Sequence, residues 1–222
     1  MNISEYILIA FPAIFVILNP LTAASTFLLL TAGQSDEAQV RVAKRACVTA
    51  FGILMTFAIA GHFIFQIFRI TVEAFRIAGG IILFDIGLNM LKFKQVRIKQ
   101  TKLEEQDMLQ RPDQDIGVVP LGMPILSGPG AITTVIVLMA EIQWKSKWVA
   151  LLESFSLVLS CALSLFLIYY ILIHSRKLLD FLKITGIGVM TRIMGLILTV
   201  IATQFVINGI KDLLPQFASM VK

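Results

Sequence analysis

Six apolar segments run through the chain with little between them: about Ile7 to Leu30, Ala43 to Phe65, Phe75 to Leu91, Val118 to Met139, Val149 to Ile173 and Gly188 to Leu214. A helix needs about 20 apolar residues to cross the hydrocarbon layer. Of 222 residues, 57% are hydrophobic and 15% charged, and the mean hydropathy is +0.86. That is more apolar surface than one soluble core can hide, so lipid is the solvent this chain requires. Lipid satisfies no backbone group, and segments of this length are therefore expected as helices. The expected fold class is all-α, a polytopic membrane protein with six transmembrane helices.

Two segments are interrupted near mid-span. Asn19 and Pro20 break the first, and Ser127, Gly128, Pro129 and Gly130 break the fourth, where a continuous helix would lose backbone hydrogen bonds. The first segment reads as a retained span: Glu5 is the only charge before it, and the run exceeds the apolar core of a signal peptide. The formal charge of +5 resides in the connections and not on one soluble face, which argues against a nucleic acid partner. Cys47 and Cys161 lie inside apolar stretches without CxxC spacing and read as structural thiols, and His62 and His174 form no ligand pattern.

Cytoplasmic loops carry an excess of Lys and Arg. Connections one, three and five hold Arg41, Lys44, Arg45, Lys92, Lys94, Arg97, Lys99, Lys102, Arg111, Arg176, Lys177, Lys183 and Arg192, against Arg69, Arg76, Lys145, Lys147, Lys211 and Lys222 on the other side. The imbalance predicts a multi-pass protein of the cell (inner) membrane with both termini outside. It also predicts a cytoplasmic linker, 92–117, between a first three-helix unit, 1–91, and a second, 118–222.

The two units look related. Pro129 falls on Pro20 at an offset of 109, with Ala131 over Thr22 and Thr134 over Ser25, while Arg192, Ile193 and Gly195 fall on Arg76, Ile77 and Gly79 at an offset of 116. Three spans per unit would turn the second upside down relative to the first, giving an inverted 3+3 repeat in which helices 1 and 4 are broken. Such paired breaks point to a transporter's binding site, and Pro20 and Pro129 suit the first turn of new half-helices whose N–H groups attract a carboxylate.

At these residues the sequence resembles the MarC family of bacterial and archaeal membrane proteins, also described as small neutral amino acid transporters. The resemblance is carried by Asn19-Pro20, by Arg76-Ile77-Ala78-Gly79-Gly80 with Gly87, and by the stretch from Pro120 through Gly122, Pro124, Gly128, Pro129, Gly130 and Ala131 to Thr133. Where the family follows its Asn-Pro with a Gly and then a Pro, this chain has Thr22 and Ser25. The resemblance implies a six-helix inverted repeat and secondary transport of glycine, alanine and similar amino acids.

The candidate substrate-binding residues are Asn19, Pro20, Thr22, Ser25, Gly128, Gly130, Ala131, Thr133 and Thr134. For the hydroxyls, the competing reading is back-bonding to the carbonyl one turn earlier. Asp85 is the one carboxylate within a predicted span away from its ends. With Asn89 and Gln204 it forms a second candidate, an amine anchor or a site for a coupling proton or sodium ion; the rival reading pairs Asp85 with Asn89 one turn on. Gly79, Gly80, Gly87 and Gly195 read as packing notches, and Arg76 and Arg192 as snorkelling anchors.

The function expected is alternating-access transport of a small neutral amino acid across the lipid bilayer, with no cofactor beyond a coupling ion. No GxxxxGK[ST] loop offers ATP energy. A passive channel is the alternative. An intramembrane enzyme fits worse, since one central carboxylate cannot form an aspartyl pair and no serine stands in a GxSxG setting.

Overall fold

The computed structural model describes residues 3–92, 116–140, 142 and 147–220. Within them the protein is all helical: α1 (Ile3–Ile17), α2 (Pro20–Leu30), α3 (Asp36–Phe68), α4 (Val72–Leu91), α5 (Gly117–Leu126), α6 (Pro129–Ala140), α7 (Lys147–Ile173) and α8 (Ser175–Met220). The linker expected over 92–117 lies outside the described residues except at its ends.

Local sequence signals set most helix ends. Ser35 and Thr71 cap α3 and α4, their hydroxyls accepting from Ala38 N at 3.4 Å and Ala74 N at 3.2 Å. Asp36, Glu37 and Glu73 sit in the first turns of α3 and α4, where the helix dipole favours negative charge. In α8 the backbone leaves the helical region at Lys183 (φ 53°, ψ 175°), separating a short basic stretch from the span that follows.

Among the described residues five helical segments are long and apolar enough to cross a membrane: Ala10–Leu30, Asp36–Gly61, Val72–Leu91, Lys147–Ile173 and Thr185–Leu214. The fourth predicted segment departs most from expectation. Instead of one span broken only at 127–130, it comprises α5, wound in wide π-type turns, and the short α6. The cause is two further prolines. A residue before proline is pushed out of the helical region, and Val119 (φ −131°, ψ 126°) and Met123 (φ −138°, ψ 123°) precede Pro120 and Pro124. Hydrogen bonds five residues apart bridge the irregularity, from Leu121 N to Ile116 O and from Ser127 N to Gly122 O. The Ser127 hydroxyl donates to the Gly122 carbonyl as well, at 2.8 Å.

Two cores share the broken helices. One joins Ile14, Leu18, Phe27, Leu54, Leu126, Leu157 and their neighbours; the other joins Val16, Leu83, Val137, Leu198, Ala202 and Phe205. Helices α1 and α6 contribute to both, so the interrupted segments lie between the α3–α7 side and the α4–α8 side. Outward faces stay apolar, as Phe155, Phe166, Ile193, Leu196 and Val200 show, which is what a lipid solvent permits.

Helices α4 and α8 run antiparallel with their backbones close together. An added Cβ on Gly87 would lie 3.0 Å from Gly195 O, one on Gly195 would lie 2.9 Å from Gly87 O, and one on Gly80 would meet Ala202 O at 2.8 Å. Small residues that let backbones approach are the usual basis of packing in membranes, so the notch reading holds. The anchor reading of Arg76 does not. Arg76 is 7% exposed, and its Nη1 lies 2.6 Å from Asp212 Oδ2. The antiparallel seam brings the end of α8 beside the start of α4, giving the guanidinium a carboxylate partner and no need to reach the interface.

Candidate functional site

The first break follows from Asn19 and Pro20. Pro20 has no N–H to continue the helix. Leu18 N still makes the ordinary helical bond to Ile14 O at 3.0 Å, and the last turn then tightens, Asn19 N bonding Val16 O at 3.1 Å. Asn19 adopts the left-handed region (φ 48°, ψ 66°), where asparagine is tolerated better than most residues. The chain re-enters helix at Pro20, the position proline suits.

Although Asn19 occupies the cap position of α2, its side chain makes no capping bond. Its Oδ1 is buried without a hydrogen-bond partner among the described residues. The first helical bond of α2 is Ala23 N to Asn19 O at 3.0 Å. The N–H groups of Leu21 and Thr22 come before that bond and point out of the helix end.

The second break repeats the arrangement. Helix α6 starts at Pro129, and its first bond is Ile132 N to Gly128 O at 3.1 Å. The N–H groups of Gly130 and Ala131 are thus the ones left at its end. Both half-helices therefore begin with proline and present partly positive ends.

The breaks meet. A Cβ on Gly130 would lie 2.9 Å from Ile17 Cδ1 and 3.0 Å from Ile86 Cδ1. Ile17 is the last residue of α1, so the first turn of α6 packs against the point where the first span is interrupted. From the other side, a Cβ on Gly79 would overlap the Thr133 methyl. Three sequence motifs distant along the chain thus converge on one place.

Of the candidate residues, Pro20, Gly130, Ala131, Thr133 and Thr134 are buried, Asn19 and Gly128 are half-buried, and Thr22 and Ser25 are exposed. Two hydroxyls are already engaged with their own helices, Ser25 with Leu21 O and Thr134 with Gly130 O, each at 2.9 Å. Among the described residues the hydroxyls of Thr22 and Thr133 have no such bond, which leaves them able to serve a ligand. Asp85, Asn89 and Gln204 stand elsewhere. Asn89 Nδ2 donates to the exposed Asp85 at 3.0 Å, and exposed Gln204 donates to Asn208 Oδ1 at 2.7 Å.

Sequence reasoning overlooked a different carboxylate. Glu153, near the start of α7, is 2% exposed, and Ser156, Ser160 and Ser164 follow it, all buried. Their spacing of three, four and four residues was the available signal, since it places all four on one helical face. Cys47 and Cys161 are free and buried, in keeping with a structural role.

Residues 4–214 match the MarC family of integral membrane proteins. The chain belongs to the MarC family. It is 37% identical over 211 residues to a UPF0056 membrane protein of Methanocaldococcus jannaschii, covering 95% of this chain and 98% of the relative. The UPF0056 membrane proteins YvbG of Bacillus subtilis (34%; 97% and 99% covered) and YhcE of Escherichia coli (33%; 92% of each) are similarly related. No solved structure matches. This chain carries a proline at the start of each half-helix, Pro20 and Pro129.

Proposed function

We propose that this MarC protein is a secondary transporter of small neutral amino acids such as glycine and alanine, working by alternating access. The observation that carries the reading is the contact between Ile17 and Gly130, which brings the start of α6 against the end of α1, where the first span is interrupted. Two partly positive ends with free N–H groups suit a carboxylate. Thr133 closes on Gly79, and Ile17 and Ile86 close on Gly130, and such tight packing around the breaks favours a small substrate.

An inverted arrangement of the halves, with both termini outside, completes the proposal. It is supported by the antiparallel packing of α4 on α8, helices whose Arg-Ile-x-Gly stretches match in order, and by the basic residues at the starts of α3 and α8. Irregular backbone at membrane depth survives only when enclosed by protein or lining a wet cavity, and both breaks lie between the two cores.

Purified protein in proteoliposomes tests the proposal. Saturable uptake of labelled glycine or alanine, accelerated by unlabelled substrate on the opposite side, is expected. Linear flux without counter-stimulation would replace the carrier with a passive pore, and no flux of either amino acid would remove the substrate assignment.

A further inference from the structure

Helix α7 uses its serines in two ways. Ser154 and Ser156 donate to the carbonyls one turn earlier, Ala150 O and Leu152 O, each at 2.7 Å. Ser160 and Ser164 do not. Their Oγ atoms are buried without a hydrogen-bond partner among the described residues, and the residues are 1% and 0% exposed. In an apolar interior an unsatisfied hydroxyl is costly. Neither hydroxyl is engaged with the carbonyl of its own helix, so both are available to a ligand.

These serines stand one turn apart, so both hydroxyls leave the same side of the helix. That side is enclosed, because α7 packs against α1, α2, α3 and α6. The first span covers Ala10–Leu30 and that of α7 covers Lys147–Ile173, so Asn19 and Ser160 each stand at the middle of their own span. Two packed helices crossing the same layer have their middles at the same depth. At that depth Asn19 contributes a third buried oxygen without a partner.

The end of α1 contributes to the charge at this point. A helix C-terminus carries a partial negative charge, and no basic residue occupies the last turn of α1 to neutralise it. Hydroxyl and amide oxygens at a helix C-terminal end are hard donors suited to a small cation. None of Ser160, Ser164 or Asn19 changes protonation near neutral pH, so the trio can hold a cation but cannot carry a proton.

We propose that Ser160, Ser164 and Asn19 Oδ1 form a site for a small monocation, a sodium ion or the ammonium group of the substrate, opposite the partly positive ends of α2 and α6. This deepens the carrier reading: the first break would offer its negative end to a cation and its positive end to a carboxylate.

The experiment measures thermal unfolding of the detergent-purified full chain in sodium chloride, choline chloride or methylammonium chloride at equal ionic strength. Wild type, Ser160→Ala/Ser164→Ala and the control Ser156→Ala are compared. Sodium or methylammonium, but not choline, is expected to raise the melting temperature saturably by a few degrees. The double variant should bind the same ion at least tenfold more weakly, with the control unchanged. A shift with sodium assigns the ion, and one with methylammonium alone assigns the substrate amine.

Should the double variant not fold, binding of radioactive sodium and of labelled methylammonium to wild type and to each single variant, Ser160→Ala and Ser164→Ala, decides the same question. Absence of ion-specific stabilisation and of saturable binding, or equal shifts in the double variant, would overturn the site. Glycine uptake is scored separately. Uptake without ion binding removes this site alone, and ion binding without uptake removes the carrier alone.

Discussion

Replacing Gly87 by alanine tests the seam that holds α4 against α8. The new Cβ would stand 2.5 Å from Thr199 Oγ1 and 3.0 Å from both Gly195 O and Thr199 N. A side-chain hydroxyl can rotate away; the two backbone atoms cannot. Restoring ordinary contact requires the helices to part by about 0.4 Å, and a gap of that order begins to forfeit dispersion energy along the whole seam. Overpacking by one methyl group costs about 1–3 kcal/mol, with the upper end expected here because backbone is in the way. Alanine returns at most about 1 kcal/mol of helix propensity, which leaves a net loss of about 1–2 kcal/mol.

Gly52→Ala is the internal reference, because nothing lies within 4 Å of its added Cβ. That variant should match or exceed the wild type. Reversible unfolding in mixed micelles, followed by intrinsic fluorescence over a detergent titration, measures the difference. Gly195→Ala should behave like Gly87→Ala, its Cβ meeting Met90 Cβ at 2.7 Å and Gly87 O at 2.9 Å. The double variant should lose less than the sum, because helices already parted accommodate the second methyl group. Finding Gly87→Ala as stable as Gly52→Ala would refute the close-packed seam.

Asp212→Asn should destabilise the protein by about 1–2 kcal/mol, moderated by the half-exposed position of Asp212, and this loss should shrink in an Arg76→Met background when unfolding is measured over the double-mutant cycle. Asn19→Gly keeps the left-handed backbone, whereas Asn19→Ala strains it by about 1–2 kcal/mol; unfolding should therefore rank Ala below Gly, while binding of labelled glycine should fall in both. Thr133→Val should weaken glycine uptake, whereas Thr134→Val should leave it nearly unchanged, because the Thr134 hydroxyl already bonds Gly130 O. Ser127→Ala removes a buried bond to Gly122 O and should cost about 1 kcal/mol, read from unfolding in micelles.

Apolar run length, the cap residues Ser35 and Thr71 and the helix-opening prolines Pro20 and Pro129 are local features, and each acts within a few residues of its own position. Local chemistry was enough to announce a helical membrane protein with interrupted first and fourth segments. Pro120 and Pro124 belonged to the same class of signal, and their effect on Val119 and Met123 followed from rules as local as those that marked Pro129.

Burial, by contrast, depends on which helix faces which, and no short window contains that information. A carboxylate in mid-span, Asp85, turned outward to a neighbour one turn on, while Glu153, near a span's start, was enclosed. Arg76 acquired Asp212 from 136 residues away. Which serines of α7 bond their own helix and which are buried without a partner was likewise settled by packing. The sequence by itself determined where the chain could be helical and where it had to break, because those are questions of backbone bonding. Only the tertiary structure decided which polar groups share an interior, because that depends on contacts between segments that meet only after folding.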